Sequence, residues 1–352
     1  MTMTTRSRRG TQGRGRWLII AALAMAVWPL AAQEKKNQGF SFRTAVDLIS
    51  VTATVTDGSG RFVDGLRAGD FEIYENGKLQ AITQFDAERV PVSLGIALDT
   101  SGSMQGEKMS AAREALSRFV YDLLGQDDEM FLYRFDSQPE LVQGWTENRA
   151  ALMHGINGVR PRGGTAMYDT VAEAVPMAAT GSRTKKALVI ISDGNDTNSS
   201  TRLADVQQVI RESEVLVYAI GIDGAAGTSY SSRAPVPQIQ FPLPGRPTIG
   251  LPFPRRPLPS PPPSGSSRGA STEGANAAAL QSMTDDSGGR TEIVSSPSDL
   301  GPATAGIADE LSRQYVLAYV SNLPKDGRWH TIEVRVKRGN PIVRARRGYI
   351  AD

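Results

Sequence analysis

Three short, unbroken apolar runs set the strongest limit on how this 352-residue chain can fold: VSLGIAL at 92–98, ALVIIS at 187–192 and VLVYAIGI at 215–222. Successive residues of a strand face opposite sides, so a run apolar at every position suits a strand covered on both faces, as inside a parallel sheet flanked by helices. The intervening sequence supplies those helices. Met109, Ala112, Leu116, Phe119, Val120 and Leu123 recur at helical spacing after the first run, helical stretches cover 148–158 and 166–179, and Leu203, Val206, Val209 and Ile210 share one face after the second. FLYRF (131–135) and a stretch at 141–145 add strands; further on, a helix at about 275–285, a strand at 291–294 and a helix at about 299–313 resume the rhythm. The alternation predicts an α/β fold with a doubly wound, mostly parallel sheet and right-handed crossovers.

Both flanks of this region read as β instead. Ile49, Val51, Ala53 and Val55 alternate with Ser50, Thr52, Thr54 and Thr56, the pattern of a half-buried strand. In FEIYENGKLQAI, Asn76-Gly77 separates two strand-like runs and predicts a tight hairpin, because both residues tolerate positive φ. Near the other end Ile332, Val334 and Val336 alternate with polar residues, and a last strand ends near Tyr349. Neither flank is large enough for a core of its own. They are expected to pair into one small all-β sandwich, 33–89 giving one half and 315–352 the other, with the α/β domain at 90–314 inserted between them.

Residues 1–32 read as a secretory leader. Arg6, Arg8, Arg9, Arg14 and Arg16 precede an apolar stretch from Trp17 to Trp28, and small residues at Ala31 and Ala32 suit cleavage. About a dozen apolar residues fall short of the roughly 20 that span a bilayer, so no stable membrane span is expected after cleavage. The expected location is periplasmic or extracellular. Without the leader the charge balance becomes 34 basic against 37 acidic residues, which removes the support for a nucleic-acid partner. The absence of cysteine excludes disulfides, zinc-thiolate sites and a cysteine nucleophile. Residues 224–272 carry 12 of the 21 prolines, five arginines and no acid, a composition that cannot form a packed core and is expected to be extended or disordered.

In an open parallel sheet, ligands bind beyond the carboxyl ends of the strands. Asp99, Ser101 and Ser103, in DTSGS, follow the first apolar run, and Asp193, in SDG, follows the second. Thr165 opens a helix after the flexible pair Gly163-Gly164. Three loops can thus bring two carboxylates and three hydroxyls to one edge. These are hard oxygen donors without histidine or sulfur, which suits Mg2+ or Mn2+ ahead of Ca2+.

This constellation resembles the von Willebrand factor type A (VWA) domain, whose metal-ion-dependent adhesion site (MIDAS) combines D-x-S-x-S with a threonine and an aspartate on two further loops. The resemblance assigns Asp99, Ser101, Ser103, Thr165 and Asp193 to a complete site. It implies that Ser101, Ser103 and Thr165 touch the metal directly while Asp99 and Asp193 act largely through waters. With DFEIYENGK before the domain and QYVLAYV and ARRGY after it, the chain is similar to secreted bacterial VWA-related proteins, apart from its proline-rich insert. The resemblance implies a non-enzymatic adhesion module whose cation coordinates a Glu or Asp carboxylate of a protein partner.

Two alternatives compete with that expectation. An aspartate-nucleophile phosphatase also places Asp after a strand, but wants a second carboxylate two residues on, where this chain has Ser101. Attachment to a surface or polymer through the basic, proline-rich insert is the other; that insert comes after the run at 215–222 and is expected to leave on the metal-site edge. A serine hydrolase has only His154, in a helical stretch, and His330, beside a strand, as possible bases. No phosphate-binding GxxxxGK loop occurs.

Overall fold

In chain order, the computed structural model begins with β1 (Asp47–Thr56), β2 (Phe71–Glu75), β3 (Lys78–Gln80) and β4 (Ile82–Asp86). It continues through β5 (Val92–Asp99), α1 (Glu107–Arg118), β6 (Glu129–Phe135), β7 (Pro139–Thr146), α2 (Arg149–Gly158), α3 (Met167–Ala179), β8 (Lys185–Ser192), α4 (Leu203–Glu212) and β9 (Leu216–Ile222). Then come α5 (Ala277–Thr284), β10 (Thr291–Val294), α6 (Leu300–Arg313), β11 (Tyr315–Ser321), β12 (Trp329–Val336), β13 (Ile342–Ala345) and β14 (Gly348–Ile350). The structure describes residues 47–193, 196–222 and 276–351. The leader and the proline-rich segment 224–272 lie outside the described residues.

The central sheet has the order β10-β9-β8-β5-β6-β7. Its pairs are parallel except β6 with β7, where the chain turns back on itself at the sheet edge. All eight residues of β5 are buried, the polar Ser93 and Asp99 included, as a strand between two helical layers requires. Leu94, Ile96 and Leu98 pack on one face with Met109 and Leu116 of α1 and Ile307 of α6. Ala97 lies on the other face with Val171 and Val175 of α3 and Val206 of α4. The period of two along the strand thus divides its side chains between two helical layers.

The remaining strands form two four-stranded antiparallel sheets, β13-β1-β11-β4 and β14-β12-β2-β3. Each mixes strands from both ends of the sequence, and together they make the β-sandwich: Val51 and Ala53 of β1, Ile73 of β2, Leu317 and Tyr319 of β11 and Ile332 of β12 share one core. The Asn76-Gly77 hairpin joins β2 and β3 as expected, with Glu75 paired to Lys78 and φ of 48° and 75° at the two turn residues.

A buried polar hub ties the sandwich to the α/β region. The Glu310 carboxylate on α6 accepts hydrogen bonds from Thr54 Oγ1 of β1 (3.1 Å) and Tyr218 OH of β9 (3.0 Å), and pairs with Arg344 of β13 and with Arg290 (Nε 3.2 Å). No helix among the described residues is long and apolar enough to cross a membrane.

Candidate functional site

β5, β8 and β9 run parallel, so their carboxyl ends share one edge of the sheet. Asp99 is the last residue of β5, and Asp193 follows Ser192, the last of β8. Ile222 ends β9 on the same edge.

Backbone hydrogen bonds draw the neighbouring loops together there. Thr100 N donates to Phe135 O at the end of β6 (2.7 Å), Arg162 N to Thr100 O (2.7 Å), and Gly102 N to Gly163 O (3.1 Å). Gly163 has φ of +71°, a conformation that costs glycine little, and this places the 160–166 loop against the 100–106 loop. Ala166 N donates to Asp136 O (2.7 Å), and Gly164 N to Ser137 Oγ (3.0 Å).

Four of the five residues expected at the site form one chain of contacts. Ser101 N donates to Asp99 Oδ1 (2.7 Å), and Ser192 Oγ donates to Asp99 Oδ2 (2.5 Å). Ser101 Oγ and Ser103 Oγ are 3.0 Å apart, and Ser103 Oγ donates to Asp193 Oδ1 (2.7 Å). Thr165 is buried, and its backbone bonds to the loop after Asp193 and not to that chain of contacts: its N–H donates to Thr197 Oγ1 (3.0 Å), and its carbonyl accepts from Thr197 N (2.9 Å) and Asn198 N (3.0 Å). Asp99, Ser101, Thr165 and Asp193 are all buried, whereas Ser103 is exposed and forms the mouth of the cluster.

The electrostatics of Asp99 follow from this setting. Burial pushes its carboxyl up to about 6, against the hydrogen bonds from Ser192 and Ser101 that pull it down. Asp99 is fully buried, and each of its oxygens accepts one hydrogen bond.

Three further side chains shape the site without belonging to its motifs. Lys108, the second residue of α1, directs its ammonium onto Asp193 Oδ2. A cation in the first turn opposes the helix dipole, and that misplacement is its only sequence signal. Asp196 and Asp169 are the others. The N-cap of α3 is Ala166, which offers no side-chain acceptor, so its first-turn donors are met from outside the helix. Tyr168 N donates to Asp196 Oδ2 (2.9 Å) and Asp169 N to Ser199 Oγ (3.0 Å). Asp169 in return accepts from Ser200 N (3.0 Å) and Thr201 N (2.8 Å). The loop after Asp193 is thereby clamped to the helix that follows Thr165. Asp196 and Ser199 form an Asx-type turn, visible in DTNS only as a polar stretch.

Residues 94–195 match the family model of the von Willebrand factor type A domain. Over those residues the chain is similar to a VWA domain. It is 26% identical over 137 residues to an uncharacterized protein of Synechocystis sp., covering 38% of this chain and 32% of that one. It is 28% identical over 135 residues to inter-alpha-trypsin inhibitor heavy chain H4 of Bos taurus, covering 35% of this chain and 15% of the relative. The chain therefore spans less than a third of the length of these relatives. Among solved structures it resembles a von Willebrand factor type A protein from Catenulispora acidiphila, at 15% identity and a TM-score of 0.46, over 86% of this chain and 73% of that one.

The donor set fits a small, hard divalent cation. Its oxygens come from hydroxyls and carboxylates, and no group of three or more His, Asp or Glu gathers among the described residues to make an all-carboxylate cage. For metal–oxygen distances of about 2.1 Å, adjacent ligands of an octahedron lie about 3 Å apart. The Ser101–Ser103 oxygen separation of 3.0 Å is close to that edge length.

Proposed function

We propose that this chain is an exported, non-enzymatic binding module whose VWA domain holds one divalent cation, Mg2+ or Mn2+, on Ser101, Ser103 and Thr165, with Asp99 and Asp193 acting through water, and recruits a Glu or Asp side chain of a protein partner. The observation that carries this reading is the continuous contact chain from Asp99 through Ser101 and Ser103 to Asp193, open to solvent at Ser103. When bound, the cation supplies a Lewis-acid position able to accept a carboxylate oxygen.

The protein's own residues orient that position. Asp99 fixes the Ser101 backbone, Ser192 fixes Asp99, and the Gly102–Gly163 contact keeps the threonine loop in register with the serine loop. The phosphatase alternative is disfavoured by the burial of Asp99 and the engagement of both its oxygens.

Calorimetric titration of the chain from residue 33 onward with MnCl2 tests the metal site, and binding is expected to be lost in Ser103→Ala. A hexapeptide array centred on Glu, with Gln-centred controls, tests the partner chemistry. Retention on the Glu peptides in Mn2+, abolished by chelator, is expected. Mn2+ binding that survives Ser103→Ala, equal retention on Gln peptides, or turnover of p-nitrophenyl phosphate would refute the reading.

A further inference from the structure

Lys108 is set against its own helix. It is the second residue of α1, where a cation meets the positive end of the helix dipole, yet its Nζ reaches across the site to Asp193 Oδ2. The Asp193 side chain is fully buried, and that of Lys108 is 24% exposed. The two Asp193 oxygens are thus divided: Oδ1 takes the Ser103 hydroxyl and Oδ2 takes the ammonium. Lys108 supplies the positive charge that a buried carboxylate requires, and it sits next to one of the hydroxyls of the proposed ligand set.

Resting on the metal-site reading above, we propose that Lys108 is a tethered cation that competes with the divalent ion for Asp193 and so sets the affinity of the site. An ammonium and a divalent cation a few ångströms apart repel each other, and more strongly beside a buried carboxylate than in bulk water. Occupation of the site therefore requires Lys108 to withdraw from Asp193 toward solvent, which its long stem and partial exposure permit. In the absence of metal the same lysine keeps Asp193 from being an unpaired buried charge. The protein thereby stays folded with the site preassembled, and the ion binds more weakly than the oxygen set alone would allow.

Mn2+ titration calorimetry and thermal melting of Lys108→Gln, Lys108→Arg and the unsubstituted chain test the proposal. Lys108→Gln is expected to bind Mn2+ about tenfold more tightly, whereas Lys108→Arg, whose planar fork grips a carboxylate better, binds no more tightly than the unsubstituted chain. In chelator, Lys108→Gln is expected to melt below the unsubstituted chain, and saturating Mn2+ is expected to close or invert that gap. A melting deficit of the same size with and without Mn2+ would make Lys108 a structural ion pair and overturn the proposal. Unchanged or weaker Mn2+ binding in Lys108→Gln also overturns it, and leaves the metal site standing if Ser103→Ala abolishes binding. Absence of Mn2+ binding in all of these chains would refute the metal site and this proposal together.

Discussion

Asp196→Ala attacks the clamp between the loop after Asp193 and the start of α3 without touching any of the five expected ligands. The carboxylate accepts from Tyr168 N (2.9 Å), Ser199 N (3.0 Å) and Ser199 Oγ (2.5 Å). The first of these substitutes for an N-cap that Ala166 does not provide, and loss of a cap costs about 1 kcal/mol. The two bonds to Ser199 contribute about 1 kcal/mol each, less where water replaces them on the exposed side of the loop. The expected loss of stability is therefore about 2 kcal/mol, measured by urea denaturation in chelator. Asp196→Asn keeps an acceptor oxygen and is expected to lose less than half as much. The same clamp holds the Thr165 and Asp193 loops together, so Mn2+ affinity is expected to fall about tenfold in Asp196→Ala and to recover substantially in Asp196→Asn. A stability loss below about 0.5 kcal/mol would show that the clamp holds nothing. A full stability loss with unchanged Mn2+ affinity would show that loop order does not reach the site.

Two further substitutions test how the scaffold supports that edge. Glu310→Ala removes the acceptor shared by Thr54, the fully buried Tyr218 hydroxyl, Arg344 and Arg290. Both arginines are about a third exposed and keep water, so a loss of about 3 kcal/mol is expected, in a single urea transition because the hub spans sandwich and α/β sheet; a loss below about 1 kcal/mol, or two resolved transitions, would refute this role. Lys185, at the opposite end of β8 from the site, is buried with its ammonium donating to Leu311 O (2.6 Å), and burial lowers its pKa to about 8. Between pH 8 and 10.5 the unfolded chain holds this proton more tightly than the folded one, so stability from this group rises with pH across that window, by up to about 3 kcal/mol. Relative to Lys185→Met, the unsubstituted chain is expected to gain stability from pH 8 to 10, and a pH-independent difference would refute the assignment.

Legibility in the sequence tracks the physics of burial. β5 and β9 are buried along their whole length and β8 from Ala187 onward, so nearly continuous apolar runs mark them. β7, a partly exposed edge strand, has no such signature, and only its middle stands out. The apolar stripe from Met109 to Leu123 reads as one helix, but regular α-helix ends at Arg118 and a wider π-turn carries Phe119–Leu123. The stripe is nearly the same in either geometry, which is why spacing does not separate them. His330, expected beside a strand, lies buried within β12, because alternation locates a strand better than its first residue. Asp99, Ser101, Ser103, Thr165 and Asp193 are marked by their motifs. Lys108, Asp169 and Asp196 are not, because each gains its role from a partner that only the fold brings near: Lys108 and Asp193 are 85 positions apart.

That difference bears on how a site of this kind would work. Its two carboxylates, Asp99 and Asp193, are balanced in part by Lys108, and the remaining expected donors are neutral hydroxyls. On the proposed reading, a divalent ion held mainly by hydroxyls keeps much of its positive charge and stays receptive to a further carboxylate, whereas a cage of three or four carboxylates would neutralise it. Lys108 moves the balance the same way, since an ion that must displace an ammonium is held less tightly by the protein alone. A partner's carboxylate, arriving at the mouth formed by exposed Ser103, then adds the missing negative charge, and ion and partner bind more tightly together than either does separately. The linkage is reciprocal: a Glu-centred peptide should lower the Mn2+ concentration needed for half-saturation by the same factor by which Mn2+ tightens the peptide, and Lys108→Gln should shrink both factors equally.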